Sequence, residues 1–166
     1  VPYDDTTYEC FCDPGYYDDG GGNCVLNTGE SCDNPIYLSG AGLVESTLDG
    51  LEDITESWCT ESGSPDRFYY FDLIEDTYVS LVVWPAQDDS DGGVEYDGGA
   101  EYDGGPGLQD WSPVLDVRTD CEEYYSELDC VYAWNNYGTV LSAGTYYIVV
   151  GSAGGEPGGY GMIYDL

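Results

Sequence analysis

The feature that most constrains the fold is a series of short runs rich in Val, Ile, Tyr and Trp, separated by Gly, Pro, Asp and Ser, after residue 32. Such runs are typical of strands bounded by turns, and no window shows the 3.6-residue apolar period of an amphipathic helix. In the run 145–151, the alternation places Tyr146, Ile148 and Val150 on one inward face. We expect strands at residues 35–38, 42–48, 67–74, 77–84, 114–119, 130–134, 138–142, 145–151 and 160–166.

This series of strands predicts an all-β fold, an antiparallel β-sandwich that is jelly-roll-like or immunoglobulin-like in layout. We expect the sandwich to occupy residues 31–166. Residues 1–30 contain three cysteines and turn dipeptides without sustained periodicity, so we expect a loop-like extension or linker that has no core of its own. A chain of 166 residues is long enough for one domain with such an appendage.

The charge balance narrows the choice of partners and chemistry. The chain has 34 Asp and Glu residues, two arginines, no lysine and no histidine, which gives a net charge of −32. Such a surface repels nucleic acids and anionic lipids and attracts cations, and no apolar run approaches the length of a membrane span. We therefore predict that the protein does not bind nucleic acid and does not insert into a membrane.

Catalysis is also constrained by composition. Without histidine or lysine, the chain lacks the groups for Ser-His-Asp, Cys-His, HExxH, Schiff-base and P-loop chemistry. Paired carboxylates remain, but with 34 acids some pairs will be close by chance. We predict that the protein is not an enzyme.

The long inter-strand loop at 86–112 is acidic and rich in glycine. Its part 88–107 contains seven carboxylates and the sequence EYDGG twice. Calcium takes six to eight oxygen ligands, which clustered carboxylates on flexible backbone supply. We predict calcium as the cofactor; the alternative is that these acids are simply solvated. The candidate ligands are Asp88, Asp89, Asp91, Glu95, Asp97, Glu101, Asp103 and Asp110.

Other loops offer further candidate groups. A second acidic loop carries Asp49, Glu52 and Asp53, and a third carries Asp18 and Asp19. The aromatic residues Tyr96, Tyr102 and Trp111 of the long loop either pack that loop onto the sandwich or form a sugar-binding platform beside the carboxylates.

The seven cysteines indicate disulfides made in an oxidising compartment, because no CxxC pair and no histidine is present to complete a zinc site. We expect an extracellular or cell-surface protein. The sequence begins at Val1 without a signal sequence, so we expect a processed or excised exported chain.

The segments GESCDNPIYL, WCTESGSPDRFYYFDLIEDTYVSLVVW, PVLDVRTDCEEYYSELDC and LSAGTYYIVVGSAGGEPGGYGMIYDL resemble the bacterial pre-peptidase C-terminal domain. The most specific part is the glycine before TYYIVV followed by a later Gly-Tyr strand. The resemblance covers about residues 29–166, and DGGVEYDGGAEYDGGPG looks like an insertion. It implies an extracellular jelly-roll sandwich, often calcium-binding, and the pairings Cys32–Cys59 and Cys121–Cys130.

The segment YECFCDPGYYDDGGGNC looks like the last third of an epidermal-growth-factor-like module. That resemblance implies the disulfide Cys12–Cys24. It leaves Cys10 for a cysteine before Val1, for another molecule, or for local reshuffling that leaves a free thiol.

Two functions fit these observations. The first, which we favour, is a non-enzymatic structural subunit of an extracellular fibre or surface layer. It would be stabilised by cations and would dock its N-terminal segment on a neighbouring subunit. The second is a calcium-dependent carbohydrate- or matrix-binding module of a secreted hydrolase or adhesin.

Overall fold

The computed structural model describes residues 12, 16–18, 23–60, 62–86, 112–154 and 157–166. Within them, one turn of 3-10 helix at Tyr124–Ser126 accompanies the strands. The strands are β1 (Tyr16–Asp18), β2 (Cys24–Leu26), β3 (Ile36–Tyr37), β4 (Ala41–Thr47), β5 (Arg67–Leu73), β6 (Thr77–Pro85), β7 (Pro113–Arg118), β8 (Glu127–Tyr132), β9 (Asn136–Leu141), β10 (Gly144–Ser152) and β11 (Gly159–Asp165). No helix in this part of the chain is long and apolar enough to cross a membrane.

Two sheets pack face to face as a β-sandwich. One has five strands in the order β3-β5-β10-β7-β8, and the other has four in the order β4-β11-β6-β9. All pairs in the two sheets are antiparallel except β3–β5, which is parallel. The expected antiparallel sandwich is therefore confirmed, with this one parallel pair at a sheet edge.

The core lies between the two sheets, and the inward face expected for 145–151 is confirmed. Tyr146, Ile148 and Val150 are all buried in the central cluster. The hydroxyl groups of Tyr69 on β5 and Tyr160 on β11 meet at 2.6 Å across the core, so these two buried polar groups satisfy each other. All nine expected strands are present, with ends shifted by up to three residues.

The N-terminal extension differs from the loop-like expectation. Strands β1 and β2 form an antiparallel hairpin, and the Cys12–Cys24 disulfide, with a Cα–Cα distance of 5.5 Å, joins the chain before β1 to the first residue of β2. This pairing confirms the one implied by sequence. Short runs of Tyr, Val and Leu pair here because the cross-link fixes the register that a three-residue strand cannot fix alone.

The other two disulfide pairings implied by the family resemblance are wrong. The structure joins Cys32 to Cys121 and Cys59 to Cys130, with Cα–Cα distances of 5.6 and 5.5 Å. Cys32 precedes β3 and packs with Cys121 against the outer side of the five-stranded sheet. Cys59 belongs to the loop between β4 and β5, which crosses to β8. These cysteines pair because they are close in the folded structure, although they are 89 and 71 residues apart in the sequence.

Candidate functional site

The outer side of the five-stranded sheet is covered by the β4–β5 loop, residues 48–66, of which residue 61 lies outside the described residues. Strand β7 is buried on both faces, so its polar residues Asp116 and Arg118 lie under this cover. The loop approaches β10 closely at Gly151, where an added Cβ would lie 2.5 Å from Thr60 Cγ2. Ser64 then accepts a hydrogen bond of 2.7 Å from the backbone N–H of Ser152.

Arg118 organises the layer between loop and sheet. Its guanidinium donates to Asp116 Oδ2 from Nε at 2.6 Å, to Thr55 Oγ1 at 3.0 Å and to the carbonyl of Glu56 at 2.8 Å. It also donates to the Cys121 carbonyl at 3.1 Å and lies 3.4 Å from Glu127 Oε1. With these partners and no exposed surface, Arg118 holds the loop in place and is closed to any external ligand.

Two buried carboxyl groups in this layer are unusually basic. Burial raises the pKa of Asp66 to about 6, against hydrogen bonds from the backbone N–H groups of Thr55 and Ile54 that lower it. Burial also raises the pKa of Asp116 to about 7, against the opposing effect of Arg118. In each carboxyl group, Oδ1 is buried without a hydrogen-bond partner. Desolvation of the charged form is the physical cause in both.

All three acids of the second acidic loop, which was predicted as a cation site, lie within the described residues. Asp49 accepts a hydrogen bond from Thr47 Oγ1 at 2.8 Å, and Asp53 accepts one from the Gly63 N–H at 2.7 Å. Glu52 uses its carbonyl to accept from the Asp66 N–H. The three carboxylates are exposed and do not form one of the described groups whose ligand atoms all lie within 4.8 Å of one another. Calcium binding here stays a prediction.

Most of the other predicted site residues lie outside the described residues. This applies to the acidic ligands of the long loop, to its aromatic residues, and to Asp19 and Cys10. The backbone of Asp18 ends strand β1. The calcium ligands and the partner of Cys10 therefore stay predictions.

One described group brings a carboxylate and two sulfurs together. Glu127 lies with its oxygen within 4.8 Å of the Sγ atoms of Cys59 and Cys130. These sulfurs are bonded to each other. A disulfide has no thiolate to offer, so we do not interpret this group as a metal site.

Among the described residues, the outer side of the four-stranded sheet carries a group of exposed and half-buried apolar side chains, and we call this group the open face. Glu45, Ser80, Asn136 and Asp165 lie on the same side of the sheet. Cross-strand register places Leu43 beside Ile163 and Ile163 beside Val82 in one row. Leu43 and Ile163 are 57% and 52% exposed. An antiparallel sheet with one solvated face normally alternates apolar-in and polar-out, so this row is a departure from that pattern. The open face comprises Leu43, Tyr78, Val82, Trp84, Trp134, Val140 and Ile163.

A pair of tryptophans lies at one corner of the open face. The rings of Trp84 and Trp134 stack with centroids 6.4 Å apart. Trp134 has a φ of 67°, a left-handed backbone that bulky residues rarely adopt, and its side chain is 68% exposed. Its N–H donates to the Val83 carbonyl at 2.8 Å, which anchors this conformation. The turn thus presents an indole to solvent at a backbone cost.

A second exposed aromatic group lies at the turn between β7 and β8, and we call it the aromatic ledge: Trp58, Tyr124 and Tyr125. Ring centroids are 6.0 Å apart for Trp58–Tyr124 and 3.7 Å apart for Tyr124–Tyr125. Trp58 and Tyr125 are each 73% exposed. A hydrogen bond with Tyr125 raises the pKa of Tyr124 to about 12, and the charges of Glu56 and Glu123 add to this effect.

Neither exposed aromatic group was singled out by sequence reasoning, which looked for aromatic residues in the acidic loop. Trp84 and Val82 read as ordinary strand residues, and Trp58, Trp134 and the Tyr124–Tyr125 pair read as loop or strand positions. The available signal was the outward phase of β6 and β11, which places Val82, Trp84 and Ile163 on one side.

Comparison with known proteins gives a likeness of fold. No protein-family model matches the chain, and no curated protein does. The pre-peptidase C-terminal domain of a Bacillus anthracis collagenase is similar in structure, with 13% identity and a TM-score of 0.43, over 78% of this chain and 92% of that chain. The Aeromonas hydrophila periplasmic inhibitor of g-type lysozyme is similar with 8% identity and a TM-score of 0.47, over 79% and 94%. A pre-peptidase C-terminal domain, the kind of domain that the sequence resembles, is among the solved structures similar to this chain.

The described residues form a β-sandwich with three disulfides, which fit a secreted or extracellular protein. The epidermal-growth-factor-like interpretation of residues 1–30 stays a prediction.

Proposed function

We propose that this protein is a non-enzymatic extracellular structural subunit that assembles head to tail into a fibre or surface layer. The observation that carries the proposal is the open face. Contiguous exposed apolar surface marks interaction sites in soluble proteins, and here the exposed residues lie in register on three neighbouring strands. An exposed apolar sheet face suits a lasting contact with another protein surface better than it suits catalysis.

The occupant we propose for the open face is the N-terminal hairpin of a second copy. That hairpin exposes Tyr16, Val25 and Leu26, which are 47%, 38% and 60% accessible. Tyr16 and Leu26 are paired in register and therefore share one side of the disulfide-linked hairpin. We propose that this pair contacts the open face, so that both surfaces lose water. Hairpin and open face are different surfaces, so the contact is heterologous and propagates unless its rotation closes a ring.

Assembly of such an acidic chain requires cations that reduce the repulsion between copies. Copies with a net charge of −32 repel one another, and divalent ions bound by acidic loops would lower that repulsion. We propose calcium for this role, with the acidic residues of the 86–112 loop as ligands.

The test is the sedimentation behaviour and electron microscopy of the full chain with calcium and then with a chelator. We expect filaments or large oligomers with calcium, and smaller species after chelation. Ile163→Thr places a hydroxyl on the open face and should prevent assembly. Ile74→Thr is the matched control, because Ile74 is 96% exposed in the β5–β6 turn, outside the open face. A monomer under all conditions, or equal assembly of both variants, contradicts the proposal.

The Trp84–Trp134 pair favours a second candidate function, a carbohydrate-binding module. An exposed indole held in a costly backbone conformation suits stacking against a sugar ring. Affinity electrophoresis in gels containing defined polysaccharides tests it. Retardation that Trp134→Ala removes and Trp58→Ala leaves in place would support this function, whereas no retardation in any gel would argue against it.

A further inference from the structure

We propose that the aromatic ledge, together with Glu56 and Glu123, binds an arginine side chain of a basic partner protein. The site is distinct from the open face and needs no second copy of this chain. Three aromatic rings supply faces on which a planar cation can stack, and two carboxylates supply its counter-charge. Guanidinium is the cation that uses both, because it stacks on aromatic faces and pairs with carboxylates through a rigid fork of donors.

The geometry of the ledge fits a small organic cation. Trp58 and Tyr125 expose most of their surface, while the half-buried Tyr124 lies between them and contacts both rings. Glu56 and Glu123 are close enough to Tyr124 to perturb its ionisation. A cation stacked on these rings would meet their negative faces, and the two nearby carboxylates would add a longer-range attraction.

The ledge is fixed in place before any ligand arrives. The backbone N–H of Trp58 donates to Glu127 Oε1 at 2.9 Å, and the next residue, Cys59, is bonded to Cys130 on β8. The carbonyl of Glu56 accepts from the buried Arg118 at 2.8 Å. Because the segment is held at three successive points, binding a cation orders little further backbone.

The turn that carries the two tyrosines is similarly braced. Ser126 Oγ donates to the Asp120 carbonyl at 2.8 Å and accepts from the Asp120 N–H at 3.0 Å. The Asp120 carboxylate accepts from the Glu122 N–H at 3.0 Å. These bonds hold Tyr124 and Tyr125 next to Trp58.

Charge complementarity identifies the occupant as a different, basic protein. The chain has two arginines and no lysine, so a second copy offers few side-chain cations. Arg118 has no exposed surface, and Arg67 donates to the carbonyls of Thr28 at 2.6 Å and Thr47 at 3.3 Å. A net charge of −32 also steers a basic protein toward this surface and speeds its association.

The test uses the full chain, a capped hexa-arginine peptide as the probe, and isothermal titration calorimetry in about 0.15 M salt to screen diffuse attraction. Hexa-lysine and hexa-citrulline serve as the comparison peptides. We expect hexa-arginine to bind more tightly than hexa-lysine and hexa-citrulline not to bind, since citrulline keeps the shape and loses the charge.

Variants locate the site. Trp58→Ala should weaken hexa-arginine binding about two- to fivefold, the range expected for an exposed cation–π contact. The matched control is Trp134→Ala, which removes an indole of similar exposure from the turn between β8 and β9. Glu56→Gln should weaken binding, and Glu75→Gln, an exposed acid in the β5–β6 turn, should have less effect.

Folding does not confound these variants, because Trp58 is largely exposed and its backbone hydrogen bond is retained; melting curves verify this. Equal loss in Trp58→Ala and Trp134→Ala, or equal affinity for hexa-arginine and hexa-lysine, would overturn the proposal by showing diffuse attraction to the acidic surface. These outcomes are independent of whether the chain assembles with itself.

Discussion

Arg118 donates a hydrogen bond of 2.6 Å from Nε to Oδ2 of Asp116, two residues before it on β7, and neither side chain has exposed surface. A buried ion pair of this kind contributes little net stability, because both charges were desolvated to form it. Replacing only one residue of the pair, in contrast, has a large cost. When Arg118 alone is removed, the buried carboxyl group of Asp116 loses its partner and must either keep its charge without solvation or take up a proton.

We therefore predict that Arg118→Met lowers the free energy of unfolding by about 3–5 kcal/mol. The variant also removes the donors that reach the carbonyls of Glu56 and Cys121, so the β4–β5 loop should loosen. Urea denaturation followed by fluorescence measures the loss. Arg67→Met is the control, since Arg67 is only partly buried and, among the described residues, its guanidinium donates to backbone carbonyls and not to a carboxylate. A cost equal to that of Arg118→Met would contradict this account.

The disulfides that join distant parts of the chain should matter most for stability. Cys32 and Cys121 are 89 residues apart, whereas Cys12 and Cys24 are 12 apart. The entropy of closing the longer loop predicts a loss of about 4–5 kcal/mol for Cys32→Ala with Cys121→Ala. Replacing the N-terminal pair instead should leave the melting temperature of the sandwich nearly unchanged.

Peptide mapping of the unreduced protein checks the connectivity on which this prediction rests. We expect cross-linked peptides for Cys32–Cys121 and Cys59–Cys130 after cleavage at Asp and Glu. Recovery of Cys32–Cys59 instead would contradict the structure.

The pairing of these cysteines was predicted wrongly from the sequence, whereas the strands were predicted well. Strand positions were accessible because outward and inward residues alternate along each strand, as Tyr146, Ile148 and Val150 do. The pairing of Cys59 with Cys130 could not be predicted from the sequence, since it depends on the path of the β4–β5 loop across the sheet. The open face was missed for a related reason: its residues Leu43, Val82 and Ile163 come from strands that are neighbours only after folding.

The raised pKa values of Asp66 and Asp116 predict that stability falls as the pH rises from about 4 to 7. A carboxyl group whose pKa is higher in the folded state binds protons more tightly there. Its stabilising contribution is complete below the ordinary pKa of 3.8 and is lost as the pH rises through about 6 for Asp66 and about 7 for Asp116. Thermal unfolding across this range measures the trend.

Asp66→Asn separates this effect from general charge repulsion. The amide oxygen of Asn can still accept from the Ile54 and Thr55 N–H groups, at 3.0 and 2.9 Å in the parent. We expect the difference in unfolding free energy between pH 5 and pH 8 to shrink by roughly 1–2 kcal/mol. Asp76→Asn removes the same charge from an exposed turn, and an equal change there would contradict burial as the cause.

The Trp84–Trp134 pair depends on a glycine beneath it. Gly161 on β11 lies opposite Trp84 on β6, and a Cβ added at Gly161 would overlap the indole of Trp84. Gly161→Ala should therefore displace Trp84, disturb its stacking with Trp134 and cost about 1–3 kcal/mol. Near-ultraviolet circular dichroism reports the ring environment, and thermal melting reports the cost. Gly144→Ala is the matched control, because its Cβ would lie at an ordinary 3.7 Å from Tyr146. If both variants keep the parent spectrum, the indole of Trp84 does not rest on Gly161, and this account is wrong.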